Sequence, residues 1–159
     1  MLQKVKRKKY EVSSEQFVIV ASRYNARYVD AMLRAAKAEL TRAGAKKIKV
    51  VRVPGAYEIP VVTAKLARTQ RPALSAIICL GVIIRGQTAH AEHIGRAVSH
   101  ALIEIQLEHE VPVIHEVLLL DDEDQARERC LGKKFNRGLE AAQTALAMAR
   151  VMRDLSNLV

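Results

Sequence analysis

The sequence has no tryptophan and few aromatic residues of any kind, four tyrosines and two phenylalanines in 159 residues. A protein that stacks the successive bases of a single strand needs interleaved aromatic side chains, so this scarcity argues against a single-stranded nucleic-acid binder. Only two cysteines occur, Cys79 in an apolar run and Cys130 in a charged one. They lack the CxxC spacing of a zinc or redox site, which leaves two free thiols, one of them buried. No apolar stretch is long enough to cross a bilayer, and the opening residues MLQKVKRKK are basic without the apolar segment of a secretory signal. A soluble cytoplasmic protein with no membrane partner is expected. No internal repeat and no Pro/Gly-rich linker divides the chain, and half of it is hydrophobic, which suits a single domain with a substantial core.

The net charge of +9 is unevenly spread. Lys4, Lys6, Arg7, Lys8 and Lys9 carry five of the nine charges with no acid among them, so residues 10–159 hold +4. The basic excess is largely a tail. Residues 1–14 are expected to form a flexible basic arm and residues 15–159 the domain, and nucleic acid is not the expected partner.

Four short apolar, β-branched runs recur: FVIVA from Phe17, IKVVRV from Ile48, AIICLGVII from Ala76 and VPVIHEVLLL from Val111. These read as strands. Helical stretches lie between and after them, over residues 28–43, 57–69, 88–109 and 137–155. Ile94, Val98, Leu102 and Ile105 repeat at helical spacing, as do Leu139, Ala142, Leu146 and Ala149. Gly44 stops the first helix, and Asp122 to Gln125 has capping-box spacing ahead of a further short helix. Nearly continuous apolar strands alternating with amphipathic helices imply a parallel sheet covered on both faces, an αβα sandwich.

In such a sheet ligands bind beyond the carboxyl ends of the strands, where helix N termini aim free amides at anions. The stretch LGVIIRGQTAH, residues 80–90, has this design. Gly86 frees the backbone, Thr88 can cap the next helix, and Gln87, Thr88 and the exposed amides suit a phosphate. His90 follows in the first turn, and an imidazole, which ordinarily titrates near neutrality, can exchange protons beside a reacting carbonyl. His93 lies one turn on, but no third ligand at a recognisable spacing turns this HxxH pair into a metal site. A second junction, VPGAYEIP over residues 53–60, presents Tyr57 and Glu58 at the same rim, and Tyr24 and Asn25 end the first strand there. Together they suit a planar, polyhydroxylated ligand. Further on, Arg127, Arg129, Lys133, Lys134 and Arg137 make either an anion site or a solvated basic face.

The segments SRYN, VPGAYEIP, LGVIIRGQTAH, VPVI, QARERC and NRGLEAA together resemble the lumazine synthase family, in order, from Phe17 to Leu155. The resemblance implies a flavodoxin-like αβα sandwich around a four-stranded parallel sheet. It implies the condensation of 5-amino-6-ribitylaminouracil with 3,4-dihydroxy-2-butanone 4-phosphate to 6,7-dimethyl-8-ribityllumazine, a step of riboflavin biosynthesis, with no cofactor or metal. By resemblance Tyr24 stacks on the pyrimidine; Ala56, Tyr57 and Glu58 line the ring and ribityl chain; and Val82, Ile83 and Ile84 lie beside them. Gln87 and Thr88 hold the phosphate, His90 transfers protons, and Arg129 meets the phosphate from the adjacent subunit. The resemblance further implies pentamers, and the spacing from QARERC to NRG is similar to that of members that close into sixty-subunit shells, with riboflavin synthase as a possible cargo.

Four departures stand out. His115-Glu116 replaces a common Phe-Gly whose Phe packs on the neighbour's ligand, leaving His115 as a smaller, titratable substitute. Leu119-Leu120 replaces polar threonines, Tyr24 a commoner Phe, and Arg137 a common Lys. The altered His115-Glu116 pair favours an alternative, a catalytically weak shell-forming or ligand-binding relative. The basic tail favours a third reading, a nucleic-acid binder.

Overall fold

The computed structural model describes residues 9–10, 12, 14–69, 72–133 and 135–158. Lys4, Lys6, Arg7 and Lys8, most of the basic tail, lie outside them, as does Lys134. Val12 is buried and donates its amide to the Ala43 carbonyl at 3.1 Å, so the packed domain takes in Val12 as well.

Four strands form one parallel sheet, β1 (Gln16–Ser22), β2 (Lys47–Val53), β3 (Ala76–Ile84) and β4 (Val113–Leu120), in the order β2-β1-β3-β4. Helices α1 (Ala26–Arg42), α4 (Glu123–Leu131) and α5 (Arg137–Ser156) pack on one face. On the other lie α2 (Ile59–Thr69), preceded by a 3-10 turn over Ala56–Glu58, and α3 (His90–His109). This is the three-layer sandwich that the alternation of runs implies, and the flavodoxin-like fold that the resemblance implies. Residues of β1 show how one strand feeds both cores: Phe17, Ile19 and Ala21 join the α1/α5 side, and Val18 and Val20 the α2/α3 side.

Three local expectations are corrected. Cys130 is buried along with Cys79, because Ala126 and Cys130, four residues apart, form the inward face of α4. Strand β2, read as near-continuously apolar, is at the end of the sheet and mostly exposed or half-buried, with Lys47 and Lys49 turned outward. Thr88 is one residue short of the N-cap position of α3, which Ala89 holds without a side-chain bond, and its hydroxyl accepts from the His90 amide only at a long 3.4 Å. Elsewhere the punctuation is as read. Gly44 has φ +94° after α1, a left-handed conformation that favours glycine. Asp122 accepts from the Gln125 amide at 2.8 Å, while the Gln125 side chain reaches back to the amide of Asp121 rather than of Asp122.

Candidate active site

Strand order reverses direction between β1 and β3, which opens a crevice past their carboxyl ends. Main-chain hydrogen bonds build its rim. The amides of Arg23 and Tyr24 donate to the Pro54 carbonyl, each at 3.0 Å, and Arg23 also to Val53, tying the end of β1 to the turn after β2. Asn25 has φ 56°, a left-handed conformation that asparagine tolerates better than most residues, and its Nδ2 donates to the Val82 carbonyl at 2.7 Å. The loop after β1 is thereby fastened to β3. Gly55 lets the Tyr24 ring lie close, since a Cβ there would come within 2.9 Å of that ring and of the Glu58 carboxylate. Glu58 itself accepts from the Gly55 amide at 2.8 Å and fixes the turn.

The result is a cleft of about 690 Å³. Its walls bring together Tyr24, Ala56, Tyr57, Glu58, Val82, Ile83, Ile84 and His90, eight residues that sequence reasoning proposed from three separate segments. Tyr24 and Tyr57 are 68% and 63% exposed, so two aromatic faces stand open to a ligand without needing to move core atoms. His90 begins α3, whose N-cap residue, Ala89, makes no side-chain bond, so that beyond the long Thr88 contact to the His90 amide this helix start suits an anion. Asn25, Gly55, His93, Ile94 and Ala97 also line the cleft. Of these, His93 and Ala97 could have been found from the helical spacing that follows His90; in the sequence His93 suggested only a metal pair. Among the described residues no group of three or more His, Cys, Asp or Glu side chains is placed to hold a metal ion.

Gln87 and Thr88 are exposed in the loop that leads to His90, next to the cleft but not among the residues that line it. Arg85 anchors that loop: its amide donates to the Leu120 carbonyl at 2.8 Å, its Nε lies 2.8 Å from Asp121, and its Nη1 pairs with Glu92 in the first turn of α3.

His115 and Arg129 lie apart from this cleft. His115 sits on β4, the strand at the sheet's other end, with its Nδ1 accepting from the Val117 amide at 3.2 Å and its Nε2 2.7 Å from Ser99 Oγ. Ser99 Oγ in turn meets the Gly95 carbonyl at 2.8 Å. If the ring accepts at Nδ1, the proton of the neutral form is on Nε2 and points to Ser99. Burial lowers the pKa of His115, so its neutral form is favoured. Arg129 is half-buried on α4, and its Nε is buried without a hydrogen-bond partner. The two thiols are poor nucleophiles, since burial pushes Cys79 up to about 12 and Cys130 up to about 11.

Residues 14–153 match the model of the 6,7-dimethyl-8-ribityllumazine synthase family. The chain belongs to that family. Relatives that carry the same name agree along almost their whole length. One from Syntrophus aciditrophicus is 42% identical over 142 residues, 88% of this chain and 91% of the relative. Another from Stenotrophomonas maltophilia is 40% identical, covering 89% of this chain and 92% of its own. One from Clostridium kluyveri is 38% identical over 154 residues, 96% and 99% of the two chains. The lumazine synthase match thus spans both the cleft residues and the β4–α4 edge that carries His115 and Arg129.

Proposed function

We propose that this protein condenses 5-amino-6-ribitylaminouracil with 3,4-dihydroxy-2-butanone 4-phosphate to 6,7-dimethyl-8-ribityllumazine, with release of phosphate and water, as an enzyme of riboflavin biosynthesis. One observation carries the reading: the cleft between β1 and β3 joins two exposed aromatic rings to a histidine at a helix N terminus. A flat pyrimidine lies against Tyr24, with its ring and ribityl chain along Ala56, Tyr57, Glu58 and the end of β3 from Val82 to Ile84. The butanone phosphate takes the open amides of α3 with Gln87 and Thr88. His90 then sits between ring and phosphate.

The amine attacks the ketone to give an imine with loss of one water; loss of phosphate, tautomerisation, ring closure and loss of a second water follow. Each step moves a proton to or from a carbonyl-derived oxygen, nitrogen or carbon, and His90 is the group within the cleft suited to carry it. Much of the acceleration comes from holding the two reactants in register.

His115 and Arg129 belong to the same chemistry from a neighbouring copy. Neither residue lines the cleft of its own chain, and Arg129, half-buried on α4, keeps a guanidinium Nε without a hydrogen-bond partner among the described residues. An apolar groove beside β4, lined by Leu107, Met148, Met152 and Leu155, supports self-association. The working unit is a pentamer in the cytoplasm, closing into a sixty-subunit shell able to enclose riboflavin synthase. The basic residues from Lys4 to Lys9 take no part in the reaction.

The test mixes purified protein with both substrates and follows lumazine absorbance beside the uncatalysed reaction. Formation well above that rate, reduced in His90→Ala and Arg129→Ala, supports enzyme and site together. Formation at the uncatalysed rate from an assembled protein overturns the enzyme and leaves the ligand-binding shell.

A further inference from the structure

Glu116 points from β4 into the layer of α4 and α5 and is 6% exposed. Arg137 grips it with two parallel hydrogen bonds, Nε to Oε2 at 2.9 Å and Nη2 to Oε1 at 2.8 Å. The third nitrogen of the same guanidinium, Nη1, donates to Glu140 at 2.5 Å. Carboxylates of its own chain therefore claim Arg137 on every side. Arg129, on α4, is close enough to feel the charge of Glu116 yet has no ion pair among the described residues, and its Nε is unsatisfied. Glu116 and Arg137 are also two of the four places where the sequence departs from the common family pattern, and the structure shows them to be one contact.

We propose that Glu116 is a specificity-determining residue of the condensation: by binding Arg137 bidentately it withholds that guanidinium from substrate and leaves Arg129 as the one arginine of the two that meets the phosphate. This rests on the reading of Arg129 as the phosphate's partner. A carboxylate in a poorly polar interior acts on nearby anions more strongly than one in water, so Glu116 weakens anion binding at Arg129 as well as occupying Arg137. The substrate phosphate is held, and the released phosphate can leave. Burial, outweighing Arg137, pushes the Glu116 carboxyl up to about 7, so its charge fades as pH falls through neutrality. Facing it are Arg137 and Glu140 from α5, Arg129 and Cys130 from α4, and Leu80 beside it in β3. Against its burial, the carboxylates around Arg137 hold its pKa above the usual value, and the Cys130 thiol stays neutral.

Sulfate is the probe, because its charge is constant over this range. Its inhibition constant against the butanone phosphate is measured on assembled protein near pH 8, with the KM of each substrate. In Glu116→Gln we expect sulfate to bind about fivefold more tightly, the KM of the phosphorylated substrate to fall with it, and the KM of the amine to stay put. The double variant Glu116→Gln/Arg137→Met restores local neutrality and returns sulfate affinity to that of the unmodified protein. Unchanged sulfate affinity in Glu116→Gln, equal shifts in both KM values, or a gain that survives in the double variant overturns the proposal. A flat sulfate affinity of the unmodified protein between about pH 8 and pH 6 overturns it without any variant. Arg129→Ala separates the two claims: sulfate binding undiminished there removes Arg129 as the phosphate's partner, whatever Glu116 does.

Discussion

Adjacent side chains on β4 both favour their neutral forms, with opposite consequences for stability. The pKa of His115 is lowered by burial below the 6.5 of an unperturbed imidazole, so the unfolded chain binds a proton more readily than the folded one. Its contribution is present above pH 6.5 and is lost as pH falls below it. Glu116 rises from 4.5 to about 7, so its contribution is complete below pH 4.5 and is lost as pH climbs to about 7. We therefore expect His115→Gln to flatten the loss of stability below pH 6.5, and Glu116→Gln to flatten the loss between pH 4.5 and 7. Urea midpoints measured across pH at one protein concentration check both, and unchanged slopes would refute the assignment. At His90 the prediction is kinetic. A single acid/base contributes on the order of a hundredfold, so His90→Ala should slow turnover by about that factor while positioning preserves the rest. A steady-state assay of assembled protein reads it, and complete loss would mean that His90 also binds substrate. From sequence, His90 was legible through its place after a strand, a glycine and a helix start. The Glu116–Arg137 pair was not, because nothing local in one sequence reports that residues 21 apart share two hydrogen bonds.

At the scale of elements, the strands and helices were readable because apolar runs and helical spacing are local signals. Boundaries moved where tertiary contacts intervened. α1 starts at Ala26 rather than near Tyr28, because the Asn25 bond to Val82 seats its first turn on the sheet. β2 turned out exposed because strand order, which no run of residues encodes, puts it at the end of the sheet. Another feature invisible in sequence is the crossing of α1 and α5. Gly138, in the first turn of α5, lies so close to α1 that a Cβ would run into the Met32 carbonyl. That obstacle is backbone and cannot swing aside, so Gly138→Ala should destabilise the fold by about 3 kcal/mol, a fall in Tm of roughly 10 °C. Thermal unfolding of the variant decides it; an unchanged Tm would mean that the helices can separate at little cost.

The whole molecule divides its candidate site residues between two places, a cleft at the middle of the sheet and a β4–α4 edge whose His115 and Arg129 do not line it. If neighbouring copies unite them, two defective subunits can make one working site. We expect His90→Ala and Arg129→Ala proteins, each impaired alone, to regain activity when unfolded, mixed and reassembled together, since some junctions then pair an intact cleft with an intact edge. Activity of the mixture no greater than the mean of its parts would show that one chain holds the site. Residue pattern alone conveyed both halves without placing them apart, because the separation depends on the strand order; the family resemblance did so, by giving Arg129 to the adjacent subunit.

The rim of the cleft is stitched by peptide amides, those of Arg23 and Tyr24 on the carbonyls of Val53 and Pro54. Every amino acid but proline brings such an amide, whatever its side chain. Positions 23 and 24 are therefore free to drift under selection for a different ligand while the architecture beneath them stands. Proline is the exception: at position 24 it would remove the amide bonded to Pro54, and at position 23 the one shared between Val53 and Pro54.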